Sequence, residues 1–238
     1  MIDIHSHILY GIDDGAKTIE ESLNILKKAY SSGVTDIVLT PHFIINSKYN
    51  CNNQNKLKLL NNIKKEMNKS GININLYLGN EVYIDEGISN LVNSDISTIN
   101  NSRYMLIELP ISRKSTIIDD VLYELDNNNI IPVIAHPERY IEYYKDYEFF
   151  NDLIDRGCLL QANIGSIYGK YGFKVKRMVK GLLKRKMISF LGSDIHHASS
   201  DIYSKNIYKD LLKLLKDKDY VEDILINNAR VMLDSSKE

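Results

Sequence analysis

Seven short apolar runs recur along the chain, and they restrict its fold more than any other feature. They are Met1–Ile4, Asp36–Thr40, Ile74–Gly79, Tyr104–Leu109, Ile131–Ala135, Leu159–Ala162 and Ile188–Gly192. Most are continuous rather than alternating, as expected of parallel strands covered on both faces by crossover helices. Amphipathic stretches separate them. Thr18 and Glu21 form a capping box, Ile19, Leu23, Leu26 and Tyr30 follow at helical spacing, and Gly33 gives a stop signal. Helical spacing returns at Ile117–Leu125, at Phe149–Ile154 before Gly157, and at Met178–Leu183. Lys56–Met67 and the tail from Tyr203 to Leu233 also read as helical. Strand and helix in alternation predict an α/β fold of about seven βα units, one short of the standard barrel. An open doubly wound sheet is the competing arrangement. No linker, repeat or low-complexity segment divides the chain, so a single domain over residues 1–238 is expected.

Composition excludes several function classes. The formal net charge is -1, and without a long block of one sign no nucleic-acid or membrane surface is expected. No apolar run reaches the ~18–20 residues of a membrane span, and the N-terminus does not read as a signal peptide. Cys51 and Cys158 form no CxxC pair and suggest no disulfide framework. A cytoplasmic location is the resulting expectation.

The six histidines carry the functional signal. His5 and His7 follow the first strand as His-x-His. His42 stands in Thr-Pro-His after the second, His136 in Ala-His-Pro-Glu-Arg after the fifth, and His196 and His197 in Ser-Asp-Ile-His-His after the seventh. Glu81, Glu108 and Asp194 occupy equivalent places, and Asp13 and Asp14 stand in the first loop. Parallel barrel strands deliver their C-terminal ends to one face, so residues distant in sequence converge there. Mixed imidazole and carboxylate donors suit Zn, Mn or Fe. Two or more such ions would supply a nucleophilic hydroxide and clamp an in-line displacement at phosphorus.

A lone histidine at a strand end is more often a hydrogen-bonded structural residue, and a lone Glu81 or Asp194 could cap a helix. The recurrence of such residues at strand after strand is what argues for a metal cluster. His197 reads as a surface neighbour of His196. Arg139, three residues after His136, could grip phosphate with its planar fork or hold an acid behind the ligands, and the phosphate role is preferred. No residue is an obvious general acid; Asp13 and His197 are the candidates.

Together, His-Ser-His, the Asp-Asp-Gly loop, Thr-Pro-His, Gly-Asn-Glu, Ser-Arg-Tyr-Met-Leu-Ile-Glu, His-Pro-Glu-Arg-Tyr and Ser-Asp-Ile-His resemble the polymerase and histidinol phosphatase (PHP) superfamily. Met-Ile-Asp-Ile-His-Ser-His-Ile and Asp-Asp-Gly-Ala-Lys-Thr are especially similar to its manganese-dependent bacterial protein-tyrosine phosphatases of capsular and exopolysaccharide gene clusters. The resemblance runs from His5 to the Asn227–Asn228 region. It implies a distorted (β/α)7 TIM-like barrel, a single PHP-type metallophosphoesterase domain and a three-ion cluster of manganese, with iron or zinc as alternatives. By motif, His5, His7, Glu81 and Asp194 would hold one ion. Glu81 would bridge to a second, held with Glu108 and His136, and Asp14, His42 and His196 would hold the third. The implied substrate is phosphotyrosine on a partner bacterial tyrosine kinase controlling polysaccharide export, and a homo-oligomer is allowed. One departure stands out. The loop after Ser-Asp-Ile-His lacks the second arginine usual in this subgroup, and Lys205 is the candidate substitute.

Three rivals remain open on sequence alone. They are a small-molecule phosphatase such as histidinol-phosphate phosphatase, a nuclease-like phosphodiesterase, and a catalytically idle module that binds a kinase. The cysteine-dependent phosphatase mechanism is excluded, because neither Cys51 nor Cys158 has an arginine six positions on.

Overall fold

A computed structural model of the protein describes residues 1–235. Its strands are β1 (Ile2–Asp3), β2 (Asp36–Leu39), β3 (His42–Phe43), β4 (Asn75–Leu78), β5 (Glu81–Tyr83), β6 (Tyr104–Glu108), β7 (Ile131–Ala135), β8 (Leu159–Asn163) and β9 (Phe190–Gly192). The α-helices are α1 (Ile19–Ser31), α2 (Asn53–Lys69), α3 (Ile118–Asn127), α4 (Tyr147–Asp155), α5 (Ile164–Tyr168), α6 (Phe173–Lys184), α7 (Ile207–Leu215), α8 (Lys218–Glu222) and α9 (Asn228–Asp234).

All strand pairings are parallel, in the orders β1-β2-β4 and β3-β5-β6-β7-β8-β9. The chain continues from β2 into β3 through Thr40-Pro41, and from β4 into β5 through Gly79-Asn80, so the nine segments form seven staves. Pro41 has no N–H to give a ladder, which accounts for one interruption. A parallel bridge between Ser6 and Ile195 closes the ring, supported by His7 N donating to Ile195 O at 2.9 Å. A curled parallel sheet of seven staves is therefore the architecture. The third stave connects to β6 through two short 3-10 turns, Ile88–Leu91 and Ile99–Asn101, rather than through an α-helix.

Local chemistry sets the element ends. Thr18 caps α1 by accepting from Glu21 N, while Glu21 reaches back to Lys17 N at 2.7 Å, one residue before the cap of a regular box. Gly33, at φ +78°, ends the helix with Val34 N bonded to Ala29 O. The C-terminal α9 packs Ala229, Met232 and Leu233 against Ile2, Ile4, Val38, Leu106, Val133 and Phe190. Arg230 fixes that helix through a two-point contact with Asp36, at 3.1 and 2.7 Å.

Alternate residues of a strand share a face. Leu106 precedes Glu108, and Leu159 precedes Gln161 and Asn163, on common faces. The inner surface is thus apolar near α9 and becomes polar toward the strand C-termini. The packed end holds the staves rigidly, and the polar end is left for chemistry.

Candidate metal centre

The nine expected ligands converge at the C-terminal end of the staves. His5 Nε2 lies 3.2 Å from Glu81 Oε2, 3.2 Å from His7 Nε2 and 3.7 Å from Asp194 Oδ1. His7 Nε2 is 3.2 Å from Glu81 Oε2 and 3.5 Å from Asp194 Oδ1. Donor–metal bonds of about 2.0–2.2 Å place the donors around one ion roughly 3–3.5 Å apart. His5, His7 and Glu81 therefore have the spacing to hold one ion, and Asp194 Oδ1 stands at its edge, 3.5 Å from His7 Nε2.

Two more groups adjoin it. Asp14 Oδ1 is 3.5 Å from His42 Nε2 and 3.4 Å from His196 Nε2, and His7 belongs to the same cluster. The other oxygen of Glu81, Oε1, is 2.7 Å from His136 Nε2, which is 3.7 Å from Glu108 Oε1. His42 Nδ1 stands 3.1 Å from Glu81 Oε2, yet it is buried and makes no hydrogen bond. An orphaned imidazole nitrogen among buried carboxylates has the arrangement of a ligand site.

Electrostatics point the same way. Glu81, Glu108 and Asp194 are buried within one pocket. Burial opposes the charge on Glu81, but His5, His42 and His136 hold its carboxyl well below the ordinary range. Burial and the Glu81 charge instead push Glu108 up to about 8. Burial pulls the His5 ring down, but Glu81 and Asp194 outweigh it and raise the ring to about 9. Carboxylates pressed together in this way are stabilised by cations placed between them.

A relay behind the cluster fixes the rings. Asp194 Oδ2 can only accept, so Asn163 donates to it through Nδ2 at 2.6 Å. Asn163 Oδ1 then accepts from Gln161 Nε2 at 3.0 Å, leaving Gln161 Oε1 to accept from His5 Nδ1 at 2.8 Å. His5 thus carries a proton on Nδ1, and its Nε2 is the ring atom turned toward the cluster, where a metal would take the place of any proton there. Gly192 makes the approach feasible, since a Cβ there would lie 2.6 Å from His5 Cβ and 2.9 Å from Gln161 Nε2. Asp194 and His136 take left-handed backbone conformations, with φ of 50° and 33°. Non-glycine residues held there are typical of sites where geometry is fixed at a cost in strain.

Two sequence expectations change. Asp13 does not face the cleft. Its Oδ2 accepts from His7 Nδ1 at 2.8 Å and from His42 N at 3.1 Å, and its Oδ1 accepts from Gly15 N. Those bonds hold the carboxyl below its ordinary value despite burial, so Asp13 positions His7 and has no proton to donate. Lys205 is not in the cleft either. It pairs with Asp201 at 2.6 Å and lies over the Tyr168 ring. The lysine that lines the cleft is Lys170, beside Tyr171 and Arg139. Arg139 meets Asp194 Oδ2 at 3.1 Å through one nitrogen and lies over Tyr171, while still lining the cleft. Its acid-holding contact is formed, and its remaining donors are available to an anion. His197 is exposed at the mouth, with its ring 6.2 Å from His196.

Gln161, Asn163, Lys170 and Tyr171 were not anticipated. Gln161 and Asn163 did leave a trace, as two polar residues two apart at the end of an apolar strand. Lys170 and Tyr171 sit between α5 and α6, where no sequence pattern marks them. Gln161→Leu is expected to lower metal affinity or activity about 10–100-fold while leaving the fold intact. Metal titration of the variant measures this, and an unchanged affinity and rate would remove Gln161 from the relay.

The family described as capsular polysaccharide synthesis, CpsB/CapC, matches residues 1–234. CapC of Staphylococcus aureus is 34% identical over 241 residues, covering 100% of this chain and 92% of that protein. Among solved structures, a chain from the study of YwqE from Bacillus subtilis and CpsB from Streptococcus pneumoniae, described as metal-dependent tyrosine phosphatases, superposes with a TM-score of 0.90. It is 26% identical, with coverage of 100% of this chain and 96% of that one. Histidinol phosphate phosphatase from Lactococcus lactis shares the fold alone, at a TM-score of 0.58 and 14% identity, over 89% of this chain and 92% of that one.

Proposed function

Because the chain belongs to the CpsB/CapC family of capsular polysaccharide synthesis, we propose that it is a metal-dependent protein-tyrosine phosphatase. The observation that carries this reading is a polar floor of imidazoles and carboxylates beneath a wall of Tyr49, Tyr83, Ile111 and Tyr171. That wall has the character to receive an aromatic leaving group. His5, His7, Asp14, His42, Glu81, Glu108, His136, Asp194 and His196 would hold a cluster of three manganese ions. When bound, the ions lower the pKa of water and neutralise charge at the phosphoryl group.

The protein's own groups do the rest. Glu81 spans two ligand groups with its two oxygens and fixes their separation. Asn163, Gln161 and Asp13 hold the rings that face the substrate. Arg139 and Lys170 place positive charge at the cleft wall, where the phosphate oxygens bind. Water oxygen bonds to phosphorus as the phosphorus–phenolate bond breaks, and the proton the water gives up ends on the departing phenolate. A phenolate, with a pKa of about 10, leaves without strong acid assistance, which suits a cleft that Asp13 does not face and where it cannot serve as the acid. The phosphotyrosine belongs to a partner bacterial tyrosine kinase of the polysaccharide export system.

The test compares phosphotyrosyl peptide with histidinol phosphate on manganese-loaded protein, with metal content measured alongside. Faster turnover of histidinol phosphate would overturn the substrate assignment. Lys170→Ala is expected to raise KM for phosphotyrosyl peptide about three- to tenfold with little change in kcat, while Lys205→Ala leaves both unchanged. Steady-state kinetics of the two variants decide between the lysines.

A further inference from the structure

The net charge of -1 conceals an uneven distribution. Residues 156–193 contain nine lysines and arginines and no aspartate or glutamate, which corrects the reading that the chain has no long block of one sign. Most of these cations lie on or beside α6. Its apolar stripe of Met178, Val179, Leu182 and Leu183 is buried, so the cations occupy the outward side. Between α6 and the start of α4 runs a groove of about 680 Å³. Six cations line it, together with Tyr147, Phe173 and Gly181.

Two features mark the groove as more than a solvated face. Among the described residues, none of those six cations forms an ion pair with a carboxylate, whereas their neighbours Arg156 and Lys186 are paired with Asp119 and Asp217 at 2.6 Å. Phe173, at 75% exposure, is a large ring left in solvent beside them. The groove also begins where the cleft ends. The Lys176 stem packs over Gly169, in the segment that continues into Lys170 and Tyr171 of the cleft wall. The far wall is close because position 181 is glycine; a Cβ there would meet the Tyr147 hydroxyl oxygen at 2.0 Å.

We propose that this groove binds an acidic polypeptide segment that flanks the phosphotyrosine, so that it docks the substrate beside the cleft. The inference rests on the phosphotyrosine reading of the cleft. Unpaired cations in a concave channel complement a negatively charged chain and steer it toward the site. A membrane surface suits the groove less well. The apolar stripe of α6 faces inward, which leaves Phe173 as the one large apolar group of that helix able to insert. A nucleic-acid strand would find a single freely exposed ring for base stacking, where such sites use several.

The test uses the full chain and the variant K176E/K180E/K184E. Fluorescence anisotropy with a labelled, unphosphorylated Glu/Asp-rich peptide reads the groove without needing catalysis. The wild-type protein is expected to bind it at low salt and to lose affinity as salt rises. The triple variant is expected to bind about tenfold more weakly, equivalent to about 1.4 kcal/mol. On phosphotyrosyl peptides with acidic flanks its KM rises by a similar factor, while turnover of p-nitrophenyl phosphate is unchanged. Equal wild-type affinity for a neutral peptide would overturn the proposal, as would unchanged binding by the variant. A variant that loses binding only to anionic vesicles or to single-stranded oligonucleotide would overturn it too. Intact acidic-peptide binding without phosphotyrosine hydrolysis would support the groove and overturn the phosphatase reading instead.

Discussion

Glu81→Ala is expected to lower kcat by at least about 10³-fold, a loss of about 4 kcal/mol in transition-state stabilisation. Glu81 is the residue whose two oxygens reach different ligand groups. Oε1 lies 2.7 Å from His136 Nε2, and Oε2 lies 3.2 Å from both His5 and His7 Nε2. Truncation removes a donor from two neighbouring positions at once and leaves the surrounding imidazoles without the charge that gathers them. Metal content per chain should therefore fall together with activity. Glu81→Gln separates the two effects, because it keeps the volume and loses the charge. Elemental analysis and phosphopeptide kinetics on both variants check this. Full metal content with full activity in Glu81→Ala would remove Glu81 from the site.

Stripping the metal is expected to destabilise the fold as well as silence it. Glu81, Glu108 and Asp194 are buried together, and cations bound only by the folded state stabilise it by mass action. At metal concentrations near 1,000 times Kd the contribution is about 4 kcal/mol. For a domain of this size that corresponds to a Tm lower by roughly 8–16 °C after chelation. The gap should widen with pH. Without metal, Glu108 keeps its proton up to about pH 8 against an ordinary value of 4.5, so its contribution to the apo fold is lost as pH rises through 8. Over the same range the ions no longer compete with that proton. Calorimetry of chelated and reloaded protein from pH 6 to pH 8.5 measures both effects, and a Tm indifferent to chelation would refute them.

Much of the architecture was legible in the chain. Ile131–Ala135 is the same as a strand read from sequence and as β7, five of the other runs each contain a stave segment, and Leu159–Ala162 stops one residue short of the end of β8 at Asn163. Continuous apolar runs could be read because they are long enough to demand cover on both faces. The breaks at Thr40-Pro41 and Gly79-Asn80 were less visible. They turn His42 and Glu81 from strand ends into the first residues of new strand segments, paired directly as His42 with Glu81. The missing helix before β6 likewise left no positive signal.

The site divides along the same line. His-x-His, Thr-Pro-His and Ser-Asp-Ile-His identified the residues facing one another because strand ends of a parallel barrel meet on one face whatever their separation in sequence. Asp13 and Asp14 show where that logic ends. The two are adjacent and chemically identical, and only the turn of the loop sends one to His7 Nδ1 and the other to His42 and His196.

The apolar runs and the histidines at their ends were thus enough to determine a parallel α/β fold with a metal-binding face, because both depend on local periodicity and residue chemistry. Which lysine enters the cleft, which carboxylate stands behind the ligands, and how six cations come to line one groove beside α6 were decided by the tertiary structure. Those outcomes depend on directions in space between segments that local spacing does not encode.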